Sequence, residues 1–298
     1  GGGLFATTED NLRLMKLYAD GGVWEGERIL DDEYVKRATT LQNKSATEAK
    51  NNPLAKDNFV GYGYQIWMCR PNGVYRADGA MGQFTIVVPD KDMIIAITEN
   101  ASGAHWAQTT LDVMWEFLER IEKHPAKAEN TEKSECLKNR MGRLALPNPK
   151  YAPYSPIAAN IEGRQWKVID GDFYMEDVGV AQHMSGCEMP QPIDVFCFHF
   201  TSDEIVMDWE NSEEKERLVI ATDGSRRHNT LPGRLISQVV LSGAWISENT
   251  LEVKARYIET CKEETLLFTF EEKKLKITNS TMEFGMQKEI EILAEAED

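Results

Sequence analysis

The stretch YRADGAMGQFTIVVPDKDMIIAITEN, residues 75–100, decides how the first part of the chain is read. FTIVVP and MIIAITEN are continuous apolar runs on either side of the turn DKD, the pattern of central strands covered on both faces. Gly79 and Gly82 stand in front of the first run, and Gln83 follows them. Glycines at such a place let another group come close to the backbone. By chemistry alone the stretch is a strand edge whose N–H groups face a ligand, and an N–H held there can stabilise an oxyanion in acyl transfer. A tight strand crossing needs the same small residues, and G-x-x-G-Q by itself favours that simpler reading.

Outward from this stretch the pattern changes period. ATTEDNLRLMKLYADGG, residues 6–22, predicts a helix capped by Thr7 or Thr8, with Glu9 and Asp10 in its first turn and Gly21 as its stop. Leu12, Met15, Leu17 and Tyr18 make its apolar face. WEGERILDDEYVKRATT reads as a turn and a second helix capped by Asp31 or Asp32, and the polar residues 43–58 read as a mobile loop. VGYGYQIWMCR and VYRADGAMGQ are strand-like on either side of PNG. HWAQTTLDVMWEFLERIEK predicts a closing helix, with Trp106, Leu111, Met114, Trp115 and Leu118 facing inward.

These elements lead to the expectation of an α+β arrangement, an antiparallel sheet with packed helices, over residues 1–123. Residues 124–156 are charged and then proline-rich, as in a linker. From Ile157 short alternating segments recur: RQWKVI, DVFCFHF, EIVMDW, RLVIAT, SQVVLSGAW, TLEVKARYI, ETLLFTF, KLKITN and KEIEIL. With no strong helix between them, residues 157–298 are expected to form an antiparallel β-barrel or sandwich.

Three segments in order carry a resemblance: GGGLFATTEDNLRLMKLYADGGVWEGERIL, GYGYQIW and ADGAMGQFTIVVPDKDMIIAITEN. Together they resemble the C-terminal half of the class C β-lactamase-like, penicillin-binding-protein-like serine hydrolases. The esterase and 6-aminohexanoate-oligomer hydrolase branch, whose third box reads A-x-G-x-x-G-Q, is the nearest in flavour. The later residues resemble the β-rich C-terminal extension of some bacterial members. The resemblance implies hydrolysis of an ester or amide by acyl transfer, with no cofactor. It places Ala77, Asp78 and Gly79 where relatives often carry K-T-G or H-x-G, and makes the Ala80 backbone N–H an oxyanion donor beside Gly79. Gly82 and Gln83 would line the site, with Tyr62, Tyr64 and Trp67 as neighbours. Since Ala77 is neither Lys nor His, recognition of a β-lactam carboxylate is not implied. Arg76 is expected on the opposite face of the strand from Ala77.

In that family a serine of S-x-x-K attacks the carbonyl, and the lysine and the tyrosine of Y-x-N move protons. The only S-x-x-K here is Ser212 to Lys215, in the charged segment NSEEKERL, and no Y-x-N occurs. Ser247 to Asn249 forms an S-x-N between two strand segments and reads as structural. The chain is therefore expected to begin after both catalytic boxes. The missing half would be part of the same parent protein or a separate chain, and this polypeptide alone would be inactive. The alternative is a non-catalytic binding module that kept the scaffold, with a β domain that binds a ligand or partner.

A net charge of −16 argues against nucleic-acid backbone or anionic lipid as a partner, and no apolar run approaches the length of a membrane span. Cys69, Cys136, Cys187, Cys197 and Cys261 are scattered, with no C-x-x-C pair. Reduced thiols are the default reading, which favours a cytoplasmic location. His105, His124, His183, His199 and His228 have no H-x-x-x-H or H-E-x-x-H spacing, so no metal is expected. His199 alternates with Phe198 and Phe200 and faces either solvent or a barrel interior. Asp170, Asp172, Glu176 and Asp177 lack the spacing of a calcium loop and read as a turn.

Overall fold

A computed structural model of the chain describes residues 4–43, 55–101, 107–123, 131–179, 186, 189–283 and 286–297. His105, Trp106, His124, His183, Cys187 and most of the polar loop at 43–58 lie outside them. The chain divides into two compact units, Phe5–Leu144 and Ala145–Asp298.

In the first unit, α1 (Thr8–Ala19) starts at a capping box: Asp10 N–H donates to the Thr7 hydroxyl, and the Asp10 carboxylate accepts from Thr7 N–H. A small hairpin of β1 (Val23–Trp24) and β2 (Glu27–Arg28) leads to α2 (Asp32–Ala38), whose N-cap is Asp31. Four antiparallel strands follow in spatial order: β3 (Trp67–Met68), β4 (Tyr75–Gly79), β5 (Gln83–Val88) and β6 (Met93–Ile97). Then come α3 (Gln108–Lys123) and α4 (Thr131–Met141). Successive side chains of β5 leave opposite faces. Phe84, Ile86 and Val88 pack with Leu111, Trp115 and Leu118 of α3, and Val87 packs with Met15 of α1 and Tyr75. β5 is buried almost throughout, whereas β6, expected to be central, is an edge strand of half-buried residues.

Among the described residues the second unit has one short helix, α5 (Ala158–Ile161), and ten strands. These are β7 (Trp166–Asp170), β8 (Val195–Phe200), β9 (Glu204–Glu210), β10 (Lys215–Ala221), β11 (Arg227–Thr230), β12 (Gln238–Trp245), β13 (Thr250–Tyr257), β14 (Glu263–Phe270), β15 (Lys274–Glu283) and β16 (Met286–Ala296). Their order is β10-β9-β8-β7-β16-β15-β14-β13-β12-β11, and a parallel pairing of Ala221 with Ser242 joins β10 to β12. That pairing closes a nine-strand barrel, with β11 carried beside β12. Strict alternation directs Leu251, Val253, Ala255 and Tyr257 of β13, and Leu266, Phe268 and Phe270 of β14, into one packed apolar core.

The connection after β7 enters this core. Phe173 and Met175 are fully buried, with the Phe173 ring 5.2 Å from Phe196 and 6.0 Å from Phe268. Buried polar bonds hold it there: Thr260 donates to Asp177 at 2.7 Å, Lys262 lies 2.9 Å from Glu264 and 3.6 Å from Asp177, and Arg234 meets Glu176 at 2.7 Å. Asp170 and Asp172 are exposed, so the acidic run is divided between surface and interior.

The expected α+β class is overturned. The chain is mostly β, dominated by a closed barrel, and its helices are few. Helical periodicity is confined to short stretches of the first unit, while two-residue alternation runs around a whole ring in the second. Between barrel and sandwich, the Ala221–Ser242 pairing decides for the barrel. Among the described residues no helix is long and apolar enough to cross a membrane.

Candidate functional site

The β4–β5 hairpin pairs Gly79 with Gln83 across a turn of Ala80, Met81 and Gly82. Met81 (φ 65°) and Gly82 (φ 90°) both adopt left-handed backbone. The turn is tied down from the end of β6: Ala101 N–H donates to Met81 C=O at 2.9 Å, and the Gln83 side-chain amide donates to Glu99 C=O at 2.7 Å. On the other side of β4, β3 reaches only Arg76, opposite Trp67. Among the described residues, Ala77–Gly79 has no strand partner on that edge. Cys69 N–H donates to Val74 C=O there, and main-chain groups alternate sides along a strand, so the open edge receives those of Asp78.

The glycines now have named neighbours. A Cβ on Gly82 would overlap Glu99 Oε1, and one on Gly79 would lie 3.0 Å from the Gln83 Cβ. Glu99 Oε2 accepts from the Thr110 hydroxyl at 2.9 Å, while its Oε1 is buried and finds no hydrogen-bond partner among the described residues. What approaches Gly82 most closely is thus a carboxylate of the same unit. In the sequence Glu99 is simply the polar end of an apolar run, and nothing local marks it as a neighbour of Gly82.

Asp78 is committed elsewhere. Arg76 is fully buried and lies on the face opposite Ala77, as expected, with its guanidinium 2.8 Å from the Asp78 carboxylate. It also donates to Asn58 Oδ1 at 2.8 Å and stands over the rings of Trp67 and Phe84 at 5.7 and 5.8 Å. Burial pushes the Asp78 carboxyl above its ordinary range, and the Arg76 charge offsets only part of that. Ala77 packs on the cluster around Met15. Tyr62 lies edge-on to Trp67 at 4.6 Å, and Tyr64 stands 6.1 Å from Tyr34 of α2. Of the expected site residues, Gly79, Ala80, Gly82 and Gln83 are together in one turn. The two tyrosines belong to the β3 and α2 surroundings.

A cleft of about 430 Å³ lies at the opposite end of the β4–β5 ladder, lined by Arg70, Val74, Val88, Trp115 and Glu119 among others. Val74 precedes β4 and Val88 ends β5, so this cleft is roughly 17 Å from the Gly79 turn along the strands. The catalytic-motif mimics are surface features: Ser212 is exposed between β9 and β10, and the Ser247 hydroxyl donates to Asn249 Oδ1 at 3.0 Å in the β12–β13 turn.

No protein-family model matches the chain, and no curated protein does. Among solved structures, a Schistosoma mansoni fatty acid binding protein in complex with arachidonic acid aligns over 45% of this chain and 92% of its own, at 14% identity and a TM-score of 0.32. An octameric penicillin-binding protein homologue from Pyrococcus abyssi aligns over 95% of this chain at 13% identity and a TM-score of 0.21. This chain spans 45% of the length of that protein. Both likenesses are weak. The fold and its turn define a mostly β chain with a closed barrel and a separate small sheet whose hairpin edge is open.

Proposed function

We propose that this chain is the C-terminal portion of a β-lactamase-like serine hydrolase acting on an ester or amide by acyl transfer. The observation that carries the reading is the open edge of β4 past Arg76, which coincides with the A-x-G-x-x-G-Q stretch. The Ala80 N–H is the oxyanion donor on this wall, and the turn's tethers to Glu99 and Ala101 hold it in place before reaction. The serine of S-x-x-K, its lysine and the tyrosine of Y-x-N belong to polypeptide outside these residues. The isolated chain should form no acyl adduct with an ester or β-lactam probe by intact mass. Adding a polypeptide that carries both boxes should produce one, and Ala80→Pro, which removes the N–H, should slow it about 100-fold or more. An adduct on the chain alone sinks this reading.

A second reading, a non-catalytic binding module, is favoured by one observation: the Glu99 carboxylate rests against Gly82, where its charge opposes a developing oxyanion. In that case the complementation experiment yields no adduct.

A further inference from the structure

On the outer wall of the barrel, β8 and β9 place three metal-ligating side chains together. Phe196 and Phe198 point into the core, so Cys197 and His199, two residues apart, share the outer face. Asp208 of β9 is the direct cross-strand partner of Cys197 and faces outward between the buried Met207 and Trp209. Cys197 Sγ lies 3.6 Å from His199 Nε2, and that nitrogen lies 3.7 Å from Asp208 Oδ2. One donor atom from each residue falls within 4.8 Å of the other two. Tetrahedral bonds of about 2.3 Å to sulfur and about 2.0–2.1 Å to nitrogen or oxygen set neighbouring donors about 3.5 Å apart. The two contacts to His199 are close to that spacing already, and the third pair lies within 4.8 Å.

The histidine is also oriented for the task. Its Nδ1 is 2.7 Å from Glu162 Oε1, and the other Glu162 oxygen accepts from Phe200 N–H at 2.8 Å. The Glu162 carboxylate accepts from Nδ1–H, which keeps the proton on Nδ1 and leaves the Nε2 lone pair aimed at Cys197 and Asp208, the outer arrangement of metal-bound histidines. Cys197, His199 and Glu162 would also suit a nucleophile, base and orienting acid. Asp208 argues against that use: a carboxylate opposite the thiol opposes a thiolate, whereas a dication between them is attracted to both.

We propose that Cys197, His199 and Asp208 form a divalent transition-metal site of the zinc class, with Glu162 as the outer residue that positions His199. Sulfur, imidazole and carboxylate together suit zinc or cobalt rather than calcium or magnesium. Cys197 is buried but His199 is 44% exposed, so solvent reaches the site from the imidazole side, where a fourth position would take water. Arg217 is the built-in competitor, gripping both Asp208 oxygens at 2.6 and 2.9 Å. The spacing rules applied to the sequence describe helices and loops and pass over a pair on one strand face completed from the next strand.

The test is titration of the chelator-stripped chain with Co²⁺ alone. One equivalent should bind with a thiolate-to-cobalt band in the near ultraviolet and be displaced by Zn²⁺. Cys197→Ser should abolish the band, and Glu162→Gln should weaken binding about 10- to 100-fold. Arg217→Ala should tighten it severalfold, a gain that damage to the fold does not produce. Absence of stoichiometric binding, or a band that survives Cys197→Ser, overturns the proposal.

Discussion

The side chain of Asn229 on β11 takes the place of a strand at the seam of the barrel: it accepts from Val219 N–H at 2.7 Å and donates to Val219 C=O at 2.9 Å. β10 and β12 meet only at Ala221 and Ser242, and β11 pairs with β12 alone. One amide thus satisfies both main-chain groups of Val219 where the ladder is interrupted. Asn229→Ala leaves both without partners, at a cost of about 2 kcal/mol. Asn229→Asp keeps the acceptor but sets a carboxylate oxygen against the Val219 carbonyl. Both variants should unfold the barrel at lower urea and lose hydrogen-exchange protection at Val219. An unchanged urea midpoint would show that the seam is held by other bonds.

Asp57 anchors the first unit in a similar way. Its fully buried carboxylate accepts from Arg70 N–H at 3.0 Å, Arg70 Nε at 2.9 Å, Gln108 at 2.7 Å and the Trp115 indole at 3.0 Å. Burial alone would raise its pKa, but the bonds from Trp115, Gln108 and Arg70, with the Arg70 charge, outweigh it and hold the group below the ordinary 3.8. A depressed folded-state value means stability that is present above about pH 4 and lost as the pH falls through the folded pKa. Asp57→Asn should cost about 3–5 kcal/mol, since an amide N–H₂ then confronts converging donors. It should also flatten the acid limb of the stability profile. A variant that keeps the wild-type acid limb would show that another group is responsible.

The Gly82–Glu99 contact predicts a non-additive pair. Gly82→Ala meets both a left-handed φ of 90° and the Glu99 carboxylate, and should destabilise the unit by about 1–3 kcal/mol. Glu99→Ala removes the overlap but not the backbone strain, so the double variant should recover part of the loss. A strictly additive double-mutant cycle would contradict this contact.

The thiols should separate kinetically. Burial pushes the Cys69 thiol up to about 12, whereas Cys136 is exposed on α4. At pH 8, alkylation followed by peptide mass should modify Cys136 in the native chain and reach Cys69 only after denaturant is added. Equal rates at the two would exclude the buried position of Cys69.

The amino-acid sequence by itself determined the elements. Thr7 or Thr8 and Asp31 or Asp32 marked helix starts, of which the structure uses Thr7 and Asp31; Leu111, Trp115 and Leu118 marked a buried helix face, and strict alternation marked the strands of the barrel. Those signals are local, because capping and side-chain direction depend on residues only a few positions away. β11 escaped notice because RHNT has no apolar alternation and finds its place only against β12. Tertiary structure decided the rest. It closed the ring at Ala221 and Ser242, set Glu99 against Gly82, locked Asp78 to Arg76, and gathered Cys197, His199, Asp208 and Glu162 on one wall. Each of these joins separate elements or the two sides of a strand interface, and their geometry depends on strand register, which composition and periodicity do not encode.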